Sequence, residues 1–307
     1  MNDLQIDVVS APRRAEALGL ILGRHAVEER RAHMESLLAD ADSSPLAAEG
    51  LLGAYRSGRL VGAVFSQLQP GKTALVWPPR TLAGEPATTD EKLLQAACEW
   101  LGRRGVRVAQ ILLQPDYPTD ETTWRRVGFE PLADLLYLVS QESRFPTCLP
   151  KGPLTFEAYS AANHERLARV VEATYQQTLD CPGLDDVREI EDVLDGYRAT
   201  GVFDPSRWLI VRHDGRDVGC LLLADHPEHG NWELVYMGVV ASLRGHGWGM
   251  DIARHAQGLT RQAGRPRLVL AVDAENRPAI AMYAAVGFET WDRRRAYSKV
   301  FGGSGQG

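Results

Sequence analysis

The sequence predicts an α/β (α+β) protein of two tandem domains, each a mixed, mostly antiparallel sheet flanked by helices. Three observations lead there: an internal repeat, a proline-rich break near the middle, and a strand-rich order of elements in the second half. "VGFE" stands at 127–130 and again at 286–289, an offset of 286 − 127 = 159. At the same offset "LVW" (75–77) faces "LVY" (234–236), and "RVAQILLQ" faces "PRLVLAVD". Further upstream Gly62 and Gly219 differ by 157, which puts a two-residue length change in the intervening loop. An offset held over several segments marks a duplication.

The break is "ESRFPTCLPKGP" (142–153), with three prolines and a glycine between two strand-like runs. Proline and glycine interrupt both regular structures, so the stretch reads as a linker. The expected domains are therefore 1–145 and 152–301, with 302–307 a flexible tail.

In the second copy, two apolar, β-branched runs around Asp214-Gly215 read as a hairpin, and "NWELVYMGVV" as a third strand. Residues 248–263 carry Ile252, Ala253, Ala256, Leu259 and Ala263 at helical spacing, with Gly264 to close the helix. "RLVLAV" reads as a buried strand. The helix after it is capped by Asn276, tolerates Pro278 in its first turn and ends at Gly287. Two helical segments, roughly 162–178 and 186–199, precede the hairpin and complete the unit.

With 307 residues, 44% hydrophobic and 24% charged, the chain is long enough for two globular domains. A net charge of −6 gives no general electrostatic reason to expect nucleic acid or an anionic membrane as a partner. The beginning lacks the pattern of a secretory signal, and no apolar run reaches membrane-spanning length, so a cytoplasmic protein, monomer or homodimer, is expected. The four cysteines form no CxxC pair, and His226 and His229 sit in a Pro/Gly turn without further ligands nearby, so no metal is expected.

"RGHGWG" (244–249) joins the third strand to the helix that follows. Strand, glycine-rich turn and helix direct unpaired N–H groups at one spot, a site for phosphate oxygens. A dinucleotide fingerprint fails because Met250 stands where its last glycine belongs. A Walker loop fails too, since the single "GKT" leads into a strand and has Ser66 where the first glycine belongs.

Arg244, Gly247 and Gly249 instead match R/Q-x-x-G-x-G/A, and the chain resembles the GNAT N-acetyltransferase superfamily. The resemblance runs on through "DAENRPAIAMYAAVGFE", with Asn276, Tyr283, Gly287 and Phe288 at the family's positions. It implies acetyl-CoA as co-substrate, held by Met237, Gly238, Val239, Arg244, Gly245, His246, Gly247, Trp248, Gly249 and Asn276. It also implies a splayed third strand whose free edge pairs with the pantetheine arm and polarises the thioester, and a bidentate anion contact from Arg244.

An amine acceptor loses a proton and the thiolate gains one, so a base and an acid serve the reaction. Glu233, eleven residues before Arg244 (244 − 233 = 11), resembles the strand-borne glutamate of histone-acetylating relatives and is the candidate base; Tyr283 is the candidate acid. The acceptor is expected near 172–187, where Glu172, Tyr175, Asp180, Asp185 and Asp186 form either an acidic wall for a cationic amine or a solvated loop. The expected partner is a small-molecule amine, a noncatalytic acetyl-CoA-binding regulator or scaffold being the alternative.

Subtracting 159 sets Glu85, Thr88, Asp90 and Trp124 opposite Arg244, Gly247, Gly249 and Tyr283. β-Branched and acidic residues remove backbone freedom and repel phosphate, so the first copy is expected to be a degenerate scaffold. A degenerate first half before an intact second half resembles the tandem-GNAT architecture of the mycothiol synthases.

Overall fold

The computed structural model describes residues 3–23, 27–117, 121–184 and 187–302. The chain forms two compact units, Met1–Pro131 with Ala296–Gly307, and Leu132–Arg295. The expected tail at 302–307 lies almost wholly outside the described residues.

The first unit runs β1 (Leu4–Val8), α1 (Arg14–Ile21), α2 (Val27–Ser43), α3 (Pro45–Glu49), β2 (Leu51–Arg56), β3 (Arg59–Gln69), β4 (Thr73–Thr81), α4 (Ala87–Gly102), β5 (Val108–Leu113) and α5 (Glu121–Val127). Strands β1 to β4 pair antiparallel in chain order, and β5 joins β4 parallel. One face of the sheet packs Val61, Ala74 and Ile111 against α4 through Leu93, Leu94 and Leu101; the other packs Leu51, Ala63 and Phe65 against α1.

The next strand, β6 (Glu130–Gln141), lies almost entirely in the second unit. There follow β7 (Leu154–Ala158), α6 (His164–Tyr175), α7 (Ile190–Arg198), β8 (Trp208–His213), β9 (Arg216–His226), β10 (Asn231–Val239), α8 (Trp248–Gln262), β11 (Arg267–Asp273), α9 (Arg277–Ala285) and β12 (Glu289–Val300). Strands β7 to β10 pair antiparallel in order, β11 joins β10 parallel, and β6 pairs antiparallel with β11 from Leu135 to Gln141. Alternation gives each strand two buried faces: Leu221, Leu223 and Leu234 meet α8, while Ile210, Cys220 and Leu222 meet α6. Helix α6 stops short of the expected 178, because Gln177 adopts φ 52°, outside the helical region.

The units thus divide at Pro131/Leu132 and Arg295/Ala296, away from the expected 145 and 152. Each copy's final strand completes the other's sheet: β6 lies on β11, and Ala296–Val300 of β12 lies beside β5, with Phe301 N–H bonded to Arg107 O at 2.9 Å. The proline-rich stretch falls inside the second unit, where Phe145 enters the core. Proline marks a break in regular structure, and that break sits after the exchanged strand. The two-residue length change is also divided: the β9–β10 turn has four residues, 227–230, where the β3–β4 turn has three, 70–72. Among the described residues no helix is long and apolar enough to cross a membrane, and no three metal-binding side chains gather.

Candidate active site

Strand β10 pairs with β11 at three positions only, Asn231↔Arg267, Trp232↔Leu268 and Glu233↔Val269, although both strands continue beyond them. A bulge between Leu234 and Tyr236 turns β10 away, and from there the two strands diverge. Because Val240 donates its N–H to Val218 O on β9, alternation turns the N–H groups of Val239 and Met237 into the gap. The expected splayed edge is therefore present. Gly238 is required there for a separate reason: an added Cβ would lie 2.6 Å from Thr174 Cβ on α6.

The gap opens into a cavity of about 560 Å³. Every residue expected to bind acetyl-CoA lines it, and so do Tyr283 and Asp180. Gly245 (φ 88°) and Gly247 (φ 78°) turn the chain into α8, a conformation L side chains adopt rarely. Gly247 caps α8 without a side-chain acceptor, so first-turn N–H groups remain for an anion. Gly249 differs from these two. Its φ is ordinary, and the nearest atoms to an added Cβ are in the side chains of Met282 and Met237 at 3.8–3.9 Å, so its missing side chain keeps space open. His246 stacks on Trp248 with ring centroids 4.8 Å apart, and its Nδ1 lies 3.1 Å from Leu243 O. Asn276 caps α9, its Oδ1 accepting from Ala279 N–H at 3.3 Å, while it lines the cavity.

Arg244 departs from its expected role. Its guanidinium donates to Val239 O at 3.2 Å, Gln177 O at 2.9 Å, Thr174 O at 2.8 Å and Gln176 O at 3.0 Å. The carbonyls ending α6 lack helical partners and attract a cation, so the side chain straps α6 to the glycine loop. Binding an anion is left to the backbone amides.

Tyr283 lies on α9, 6% exposed. Burial, and then the Asp180 carboxylate, push its phenol well above the usual value, so it stays protonated at neutral pH. Glu233 stands at the last paired position before the splay, its Oε2 2.8 Å from His226 Nε2. It lines a separate cavity of about 590 Å³ with Tyr137 and Trp291, which meets the first cavity at Ala271. Glu172, Tyr175 and Asp180 come together along a third cavity of about 760 Å³, where Tyr175 and Tyr197 share a 2.7 Å hydroxyl bond. Asp180, Val235 and Tyr236 line both this cavity and the first. Asp185 and Asp186 lie outside the described residues.

The first unit repeats the splay, with β4 and β5 paired only from Thr73↔Val108 to Leu75↔Gln110. Its freed stretch, however, contains Pro78 and Pro79, which have no N–H to offer a ligand. Glu85 stands before α4, bonded through Oε2 to Arg56 at 3.0 Å and to Thr89 at 3.1 Å, so a carboxylate occupies the vicinity where the second unit presents free amides. Trp124, opposite Tyr283 in the repeat, is buried with its ring 5.0 Å from Tyr297. The repeat offset could have found the prolines. Nothing local marks His226 as the partner of Glu233, or Asp180 as the residue between two cavities.

Comparison with known proteins agrees with this geometry. Residues 171–288 match the family described as Acetyltransferase (GNAT) family. Mycothiol acetyltransferase of Streptomyces avermitilis is 29% identical over 104 residues, 34% of this chain and 34% of that protein. Mycothiol acetyltransferase of a Nocardioides species is 27% identical over 192 residues, 56% of this chain and 63% of that protein. The match to the first of these spans about a third of its length. In fold, the chain superposes over 97% of its length on 95% of a GCN5-related N-acetyltransferase from Sphaerobacter thermophilus, with TM-score 0.65 and 18% identity.

Proposed function

We propose that this chain, whose residues 171–288 belong to the acetyltransferase (GNAT) family, transfers an acetyl group from acetyl-CoA to the amine of a small molecule, and that the second unit performs the chemistry. The observation that carries this reading is the splay of β10 from β11 beside an uncapped helix. Unpaired Met237 and Val239 N–H groups line one arm of a cleft whose other end offers the first-turn amides of α8. Donors with no protein partner at both ends of one cavity fit a long ligand with an amide-bearing arm and a pyrophosphate. At the repeat offset Pro78 stands opposite Met237 and removes that donor from the first unit, which supports a scaffold role for it.

The reaction is direct attack by the amine on the thioester in a ternary complex. The free strand edge holds the thioester carbonyl in a field of fixed dipoles, which favour the negative charge that develops on its oxygen. Tyr283, kept protonated by burial, gives its proton to the departing sulfur. A carboxylate base beside the splay completes the scheme; the sequence pattern suggests Glu233, whose Oε2 is bonded to His226. The mycothiol acetyltransferase relatives support a small acceptor.

The test is release of free thiol from acetyl-CoA across a panel of amines, including the acceptor of the mycothiol acetyltransferases, with Gly247→Trp as control. Turnover on at least one amine, abolished in the control, is the expected result. Tight acetyl-CoA binding without turnover on any amine would establish the noncatalytic regulator instead.

A further inference from the structure

Glu233 and Asp180 are carboxylates beside the splayed strands that face different cavities. Glu233 lines the Tyr137/Trp291 cavity, which touches the acetyl-CoA cleft only at Ala271, and one of its oxygens is taken by His226. Asp180 lines the acetyl-CoA cleft itself and also the α6/α7 cavity that holds Glu172 and Tyr175. The Asp180 Oδ1 accepts from Asp273 N–H at 2.8 Å, while Asp273 Oδ2 in turn accepts from Cys181 N–H at 3.1 Å. These reciprocal bonds fix the loop after α6 to the end of β11. They leave Asp180 Oδ2 without a hydrogen-bond partner among the described residues. Asp180 also acts electrostatically on the Tyr283 phenol, so acid and carboxylate share the cleft.

Resting on the acetyl-transfer reading above, we propose that Asp180, in place of Glu233, is the catalytic base for an amine held at the acceptor site expected near 172–187. The bound ammonium first gives one proton to Asp180 Oδ2, which releases it to solvent; as the neutral nitrogen then attacks, the C–N bond forms and its second proton passes to Asp180 Oδ2. The C–S bond breaks with its electron pair going to sulfur, which takes the Tyr283 proton. Asp180 then returns its proton to the phenolate through the solvent of the cleft. Both groups end as they began, and no further reactant is needed. Burial raises the Asp180 carboxyl above its ordinary value, in the direction a general base requires. The groups facing it are Asp273 from β11, Tyr283 from α9, Tyr175 from α6, Tyr236 from β10 and Arg188 ahead of α7. The cavity is lined by Glu172 and Asp180, by Arg169 and Arg188, and by three tyrosines whose ring faces can receive an ammonium group.

The experiment compares Asp180→Asn, Asp180→Ala and Glu233→Gln in the full chain, with acetyl-CoA and the most rapidly acetylated amine of the panel. Asn keeps the oxygen that accepts from Asp273 N–H and loses the basicity. Asp180→Asn is therefore expected to retain the thermal midpoint and the acetyl-CoA Kd, lower kcat about 100-fold near pH 7, and recover rate above pH 9 as the amine deprotonates in solution. Glu233→Gln is the comparison for the base that the sequence pattern suggests. If Asp180→Asn keeps parental kcat and only Asp180→Ala is impaired, Asp180 is merely an anchor and the proposal is overturned. If Glu233→Gln carries the 100-fold loss instead, the base is Glu233 and acetyl transfer stands. Absence of turnover by the parent on every amine overturns the acetyl-transfer reading and this assignment with it.

Discussion

Replacing Arg244 with Met removes four hydrogen bonds while keeping the length and apolar stem of the side chain. The acceptors are the carbonyls of Thr174, Gln176 and Gln177 at the end of α6 and of Val239 on β10. A net hydrogen bond contributes about 0.5–1.5 kcal/mol, more when the donor is charged and less when water can replace it. Three of the four contacts are exposed and one is part-buried, so the loss is about 2–4 kcal/mol of unfolding free energy rather than the sum of four charged bonds. The assay is urea denaturation of the full chain without ligand, followed by acetyl-CoA titration through Trp248 fluorescence. Stability should fall by that amount. Affinity should weaken about tenfold or more as the binding-competent loop becomes a minor population. A variant with parental stability and weakened affinity would refute the reasoning, because it would assign the guanidinium to the ligand's phosphates.

Changing Tyr283 to Phe should lower kcat about 100-fold with acetyl-CoA affinity unchanged, measured by steady-state thiol release. Since burial raises this phenol, its protonated form persists as pH rises, and the parent kcat should show no loss from this group up to about pH 10 in a pH–rate profile. Gly249→Leu should fold like the parent, because the backbone there is ordinary, yet lose acetyl-CoA binding by calorimetry as the side chain fills the cleft. His255 stacks on Phe156 at 3.5 Å, and burial lowers its pKa from 6.5 to about 4. The unfolded chain therefore binds the proton first, and stability falls as pH drops from 6.5 towards 4; His255→Phe should flatten thermal midpoints across that window. Glu157, held down to about 2 by hydrogen bonds from Arg166, contributes stability above pH 4.5 that is lost as pH falls towards 2, so Glu157→Gln should be destabilising at pH 7 and neutral near pH 2.

Features that depend on a few consecutive residues were legible in the sequence. The Asp214-Gly215 hairpin, the Asn276 cap and the strand–glycine–helix junction follow from local φ preferences and side-chain reach, and the structure contains each. Within "RGHGWG" the sequence did not separate the glycines: Gly245 and Gly247 serve a left-handed backbone, while Gly249 has an ordinary φ. Contacts between distant segments were not legible. Three of the four acceptors of Arg244 lie 67 to 70 residues away on α6 and just beyond it, and the Asp273 amide bonded to the Asp180 side chain lies 93 residues away on β11. The unit boundaries were missed for the same reason, since hydrophobic alternation reports which residues form a strand and not which sheet receives it.

The crossing of β6 and β12 has turned a repeat into a commitment. A gene encoding residues 152–301 alone would specify β11 without the strand that covers seven of its residues, leaving a bare edge open to self-association. A gene ending at residue 145 would leave β5 without its last neighbour. Neither half can be shed once each is finished by its sibling, so topology alone preserves the first copy, whatever chemistry it has.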